Sequence, residues 1–235
     1  MLTFHRDGED RSIPYDAGLS QETATHNLDV LGIDLKNVEA MVLLHPGAWR
    51  DRKIVFPSGT EIHMPPPSRK LLEAKEVQVL EERGPTLLLN GSVLVSGQVE
   101  RVTSFEKGFP FQQASRNGTW EPDPWIWDYQ GIICNVQGRG LVVVSSCSHS
   151  GVVNVLRNAQ RVTGVEKIHG FIGGLHLTGG TFEKIIPETV EELKKIRPDV
   201  IVPGHCTGWR AAHQISRALP QAYVQTSVGT HMLFH

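Results

Sequence analysis

The stretch LVVVSSCSHSGVVNVLRNAQRVT, residues 141–163, decides the fold. Its opening LVVVSS is a short apolar run closed by small polar residues and reads as a buried strand. From Gly151 the pattern changes: Val152, Val155, Leu156 and Ala159 follow the i, i+3, i+4, i+7 spacing, so one helix face is expected to lie against a sheet. A strand feeding a helix through a small-residue turn is the unit of α/β order, and the same alternation continues downstream. IHGFIGG (168–174) is followed by PETVEELKKI (187–196), DVIVPG (199–204) and WRAAHQISRAL (209–219). The fold class read from this half is α/β.

Upstream, strands dominate. VEAMVLL (38–44) reads as a buried strand, and IVFP with TEIHM, split by Ser58-Gly59, reads as a hairpin. TLLL-NG-SVLV is the clearest hairpin, because Asn90 and Gly91 tolerate the positive φ of a type I′ turn. A short helix is expected over QETATHNLDVL (21–31), where Ala24, Leu28 and Leu31 share a face and Gly32 stops the run. FEKGFPFQQASRNGTWEPDPWIWD (105–128) has no period and reads as a long loop of the functional kind. The expected organisation is a single domain over 1–235: mainly strands to residue 100, a long loop over 101–130 and an α/β half over 131–235.

Composition excludes more than it proposes. The 235 residues carry 23 basic and 25 acidic side chains, so no net field draws the chain to nucleic acid or an anionic membrane. No apolar run is long enough to span a bilayer, and the N-terminus lacks the apolar core of a secretory signal. The three cysteines, Cys134, Cys147 and Cys206, form no Cys-x-x-Cys pair, which fits reduced thiols and a cytoplasmic chain. Charge says nothing further about partners.

Three apolar runs of the second half each end in small residues and then a histidine: SSCSH at His149, GGLH at His176 and PGH at His205. Ligands of α/β sheets collect where strands finish, and neutral imidazole is a common ligand of zinc and related metals. One metal-binding edge is therefore expected from His149, His176 and His205. Cys147 and Cys206 flank these histidines and read either as small buried residues or as soft ligands. Ser148 and Gly151 open a helix whose free N–H groups suit either a phosphate or an ordinary cap. Trp125 and Trp127 read either as a stacking surface for a planar ligand or as cover for a core edge. The cluster Arg50, Asp51, Arg52 and Lys53 reads as a solvated face or a phosphate contact.

The strings CSHSG, GGLHL and PGHCTGW, in this order and each after a strand, resemble the metallo-β-lactamase superfamily, and within it the branch of the dihydropterin-methyl-ribofuranosylaminobenzene-phosphate synthases. Tyr15-Asp16-Ala17-Gly18 is similar to the superfamily's Asp-x-Gly, and Asp128 with Gln130 to an Asp-x-Gln of the branch. The resemblance implies an αββα sandwich, a divalent metal such as zinc, and hydrolase or transferase chemistry on a phosphorylated or pterin-like small molecule.

The chain departs from that family at one place. Members carry His-x-His-x-Asp-His after the strand that VEAMVLL resembles, whereas His45 here is followed by Pro46, Gly47, Ala48 and Trp49. The sequence reads as a truncated or spliced variant with an incomplete N-terminal half. The implied expectations are a weakly or partially occupied metal site, impaired activity with Asp16 either as the remaining catalytic carboxylate or as a hydrogen-bonding residue at a strand end, and self-association through exposed N-terminal strands. Two alternatives stay open: a non-catalytic small-ligand-binding protein, and an ordinary α/β phosphate-binding domain.

Overall fold

The computed structural model describes residues 1–6, 8–15, 21–33 and 41–235. The first half gives β1 (Leu2–Arg6), β2 (Glu9–Ile13), α1 (Gln21–Val30), β3 (Met41–Leu44), β4 (Arg52–Val55), β5 (Glu61–Met64), α2 (Arg69–Ala74), β6 (Gln78–Glu81), β7 (Thr86–Leu88) and β8 (Val93–Val95). Then follow β9 (Gln112–Arg116), β10 (Thr119–Pro122), β11 (Ile132–Val136), β12 (Gly140–Ser145), α3 (Val152–Thr163), β13 (Ile168–Gly173), α4 (Ile186–Ile196), β14 (Val200–Pro203) and α5 (Trp209–Ala218).

The main sheet has six strands in the order β14-β13-β12-β11-β8-β7. β12, β13 and β14 run parallel, as strands joined through α3 and α4 must, while β11 is antiparallel to β12 and β8. All six residues of β12 are buried, which explains why LVVVS reads as a continuous apolar run rather than an alternating one. Leu141 and Val143 join Ile133 and Phe171 under α3, α4 and α5. Val142 and Val144 point the other way, to Ile132 and Val93, where Phe4 and Ile13 of the β1–β2 hairpin and Phe234 cover them. Each fully buried Leu, Phe or Ile contributes roughly 1.5–3 kcal/mol, so this two-faced core carries most of the stability.

A second sheet runs β10-β9-β4-β5, and β3 pairs with β6 in a parallel two-stranded ladder. Within the expected strand VEAMVLL the ladder starts at Met41; residues 38–40 lie outside the described residues. Two differences from the sequence reading concern turns. The stretch read as a long loop contains the β9–β10 hairpin, closed by Asn117 and Gly118 at φ 49° and 81° with Arg116 paired to Thr119. That is a two-residue Asn-Gly hairpin of the kind expected at Asn90-Gly91. At Asn90-Gly91 the hairpin forms, but Leu88 pairs with Val93, so its loop has four residues.

Candidate functional site

The sheet delivers its chemistry at the C-terminal ends of β12, β13 and β14. β12 runs into Ser146-Cys147-Ser148-His149, β13 into Gly174-Leu175-His176, and β14 into Gly204-His205-Cys206. The strand ends are laced together: Gly174 N–H donates to the Ser146 carbonyl (2.7 Å) and Gly204 N–H to the Gly173 carbonyl (2.8 Å). Tyr15 stitches the N-terminal hairpin to the same edge. Its hydroxyl donates to the Gln130 carbonyl at 2.8 Å and accepts the Ser146 N–H at 3.1 Å.

The three expected histidines fall into two groups. His149 and His176 face each other edge to face with ring centres 4.7 Å apart, close to the roughly 5 Å that two imidazoles on one tetrahedral ion require. His176 sits at φ 51°, and its Nδ1 is buried without a hydrogen-bond partner among the described residues. His205 turns instead to the thiols. Its Nε2 lies 3.0 Å from Cys147 Sγ, and the ligand atoms of Cys147, His205 and Cys206 all lie within 4.8 Å of one another. A Cβ at position 174 would stand 2.5 Å from Cys206 Sγ and 3.0 Å from His205 Nε2, so glycine there lets the backbone close on the donor group. The Cys206 thiol is held below its ordinary value, chiefly by its hydrogen bond with Cys147. Thiolate and imidazole are donors for a borderline or soft ion such as zinc, and this donor set fits one. Asp16, the expected catalytic carboxylate, lies outside the described residues.

Beside the imidazole pair opens a cleft of about 330 Å³, with Arg101, Glu106, Lys107, His149, His176 and Phe182 among its walls. Glu106 and Arg101 went unnoticed in the sequence. Glu106 is 4% exposed, and its two oxygens accept the N–H groups of Val153 and Asn154, both at 2.9 Å. Asn154 answers by accepting the N–H groups of Val102 and Thr103, so the first turn of α3 and the 102–106 segment clamp each other. Burial pushes the Glu106 carboxyl up to about 7. Gly151 reads in the sequence as opening either a phosphate site or an ordinary cap, and the described residues supply a cap. The first turn is already capped by a protein carboxylate, and an anion would have to displace it.

The other expected contacts are also occupied from within. Ser148 is buried, its hydroxyl 2.5 Å from that of Ser145, which in turn bonds the Tyr129 hydroxyl. The Trp125 and Trp127 rings lie 6.1 Å apart with the Arg101 guanidinium 5.5 and 5.8 Å from their centres, so a cation already sits by them. Arg101 also donates to the carbonyls of His149 (2.9 Å) and Trp125, tying the aromatic loop to the histidine edge. No sequence period marks Glu106 or Arg101, since both lie in irregular backbone.

A solved metal-dependent hydrolase of the β-lactamase superfamily superposes on this chain with a TM-score of 0.74, covering 92% of it and 86% of the hydrolase at 22% identity. The chain has the metallo-β-lactamase fold. The six-stranded sheet with three helices on one face is part of that fold, and the histidines stand at its strand ends. Sequence comparison agrees with the branch suggested by the motifs. The 7,8-dihydropterin-6-methyl-4-(beta-D-ribofuranosyl)-aminobenzene-5'-phosphate synthase of Methanocaldococcus jannaschii is 32% identical over 99 residues, 42% of this chain and 33% of the synthase. An uncharacterized protein of the same organism is 27% identical over 147 residues, 63% of this chain and 51% of its own length. The chain thus spans a third to a half of the curated relatives it matches. No family model matches it.

Proposed function

We propose that the chain is a metal-dependent enzyme relative of hydrolase or transferase type, acting on a phosphorylated or pterin-like small molecule and impaired by loss of the His-x-His-x-Asp-His motif. The observation that carries this reading is the His149–His176 pair, 4.7 Å apart at the lip of the 330 Å³ cleft. A bound zinc would polarise a substrate oxygen or a water. The chain's own groups supply the rest: His149 and His176 as nitrogen donors, the Cys147–His205–Cys206 group as a second set, and Arg101 and Lys107 as cations on the cleft wall. Asp16 is proposed as the carboxylate that takes up a proton. The absence of His-x-His-x-Asp-His supports weak or partial occupancy, because a catalytic zinc wants about three protein ligands and an open position.

Metal analysis after dialysis tests the reading. One zinc or fewer per chain is expected, with retention falling further in His149→Ala and His176→Ala. Two tightly held ions per chain, or unchanged retention in a variant lacking His149, His176 and His205, would overturn it. Self-association through the N-terminal strands belongs to the same reading, supported by Ile62 of β5 and Leu87 of β7, 48% and 64% exposed. A monodisperse monomer by light scattering at all concentrations would remove that part.

A further inference from the structure

A second cavity of about 140 Å³ shares no lining residue with the histidine cleft and is walled by His45, Arg50, Arg83, Gln98, Arg116 and Trp127, with Arg52 and Asp128 also in its lining. Its charges do not balance internally. Arg52 is 10% exposed and already held by two carboxylates, Asp123 at 2.9 Å and Asp128 at 2.8 Å. Arg116 has one exposed partner, Glu121, at 3.4 Å. Arg50 and Arg83 have no ion-pair partner among the described residues. A small polar cavity therefore gathers three guanidinium groups beyond those its carboxylates neutralise, an arrangement that repels itself when no anion is present.

A donor without an acceptor stands in the same wall. His45 is 2% exposed, and its Nδ1 accepts the Gly47 N–H at 2.9 Å, which leaves the proton of the neutral ring on Nε2. That Nε2 is buried with no hydrogen-bond partner among the described residues, although Gln98 lies beside it. Burial lowers the His45 pKa, and Arg83 and Arg50 push in the same direction against Asp128 and Gln98, which raise it. The geometry points to a binding site for a phosphate-type oxyanion, free or as the head group of a phosphomonoester, gripped by Arg50, Arg83 and Arg116. Guanidinium groups meet phosphate oxygens in pairs of parallel hydrogen bonds, and three of them suit a dianion better than a single carboxylate. The cavity holds a phosphate group but no fused ring system, so any ring or sugar attached to it emerges past Trp127. This site stands beside the metal reading and needs no metal.

Titration calorimetry of the full chain with inorganic phosphate, ribose 5-phosphate and ribose tests the site, with and without added zinc. Both phosphates are expected to bind and ribose is not. Arg50→Gln and Arg83→Gln should each weaken phosphate by about tenfold or more, with Lys195→Gln as the unaffected surface control. Tighter binding of ribose 5-phosphate than of phosphate marks a phosphomonoester site, and equal binding marks a site for the ion alone. Independently of any variant, phosphate should protect Arg83 of the native chain from modification by phenylglyoxal, read by mass spectrometry. No protection of Arg83, or phosphate binding that requires zinc, would overturn the proposal. The second of these outcomes would move the anion to the histidine edge and leave the metal reading standing.

Discussion

The two halves of the molecule solve the burial problem differently. In the C-terminal half every residue of β12 is buried, and Phe171 and Ile201 are sealed beneath helices that contribute Leu156 and Leu193. In the N-terminal half β5 has three exposed residues of four, β10 is exposed throughout, and the main buried polar feature is an ion cluster of Arg52 with Asp123 and Asp128. The β12–β14 region is held by apolar packing, and the β10-β9-β4-β5 sheet largely by backbone pairing and charge. The strand ends that carry His149, His176 and His205 belong to the first, so the candidate site is mounted on the rigid half. The arginine cavity belongs to the second.

That contrast can be broken most severely at Gly173. It sits at φ 146°, and a Cβ there would lie 1.8 Å from the Ser145 carbonyl oxygen, in the ladder joining β12 to β13. Gly173→Ala is expected to cost more than about 4 kcal/mol by urea denaturation and to scatter the histidine edge. Next is Arg52→Ala, which strands two buried carboxylates and should cost about 3–5 kcal/mol. A loss below 1 kcal/mol would mean that the N-terminal half does not depend on its ion cluster. Third, Leu156→Ala in the apolar half should cost about 2–5 kcal/mol, whereas Ile62→Ala on the exposed β5 should cost under about 1 kcal/mol. Equal losses at the two positions would erase the contrast.

The smallest effect concerns pH. Glu106 has a folded-state value of about 7 against an ordinary carboxylate value of 4.5. Its proton is thus bound more tightly in the folded chain, and stability should fall as pH rises from about 4.5 to 7. Glu106→Gln should flatten that part of the stability curve measured by thermal unfolding. An unchanged slope would show that the carboxyl is ionised without penalty.

What the sequence made legible follows the same division. β12, α3, α4 and α5 are readable because apolar residues recur at strand or helix period and have nowhere to go but the core. The histidine positions are readable because they follow those strands. The β9–β10 hairpin escapes because its buried residues are a polar Gln112 and a small Ala114 rather than a run of large apolar side chains, although Asn117-Gly118 carries the turn signal. Glu106, Arg101 and the separation of His205 from the imaidazole pair are invisible in one dimension. Each depends on which loops meet in space, and loops have no period.

The parallel pairing of β3 with β6 bears on the order of events during folding. Residues 45–77 must be laid down between the two strands before that ladder can close, and such closure slows as the loop lengthens. β4 waits longer still, since one of its neighbours is β9, which begins at Gln112. β4 therefore keeps an unpaired edge until Gln112 has followed it, with Ile54 lacking its Gln112 partner during the delay.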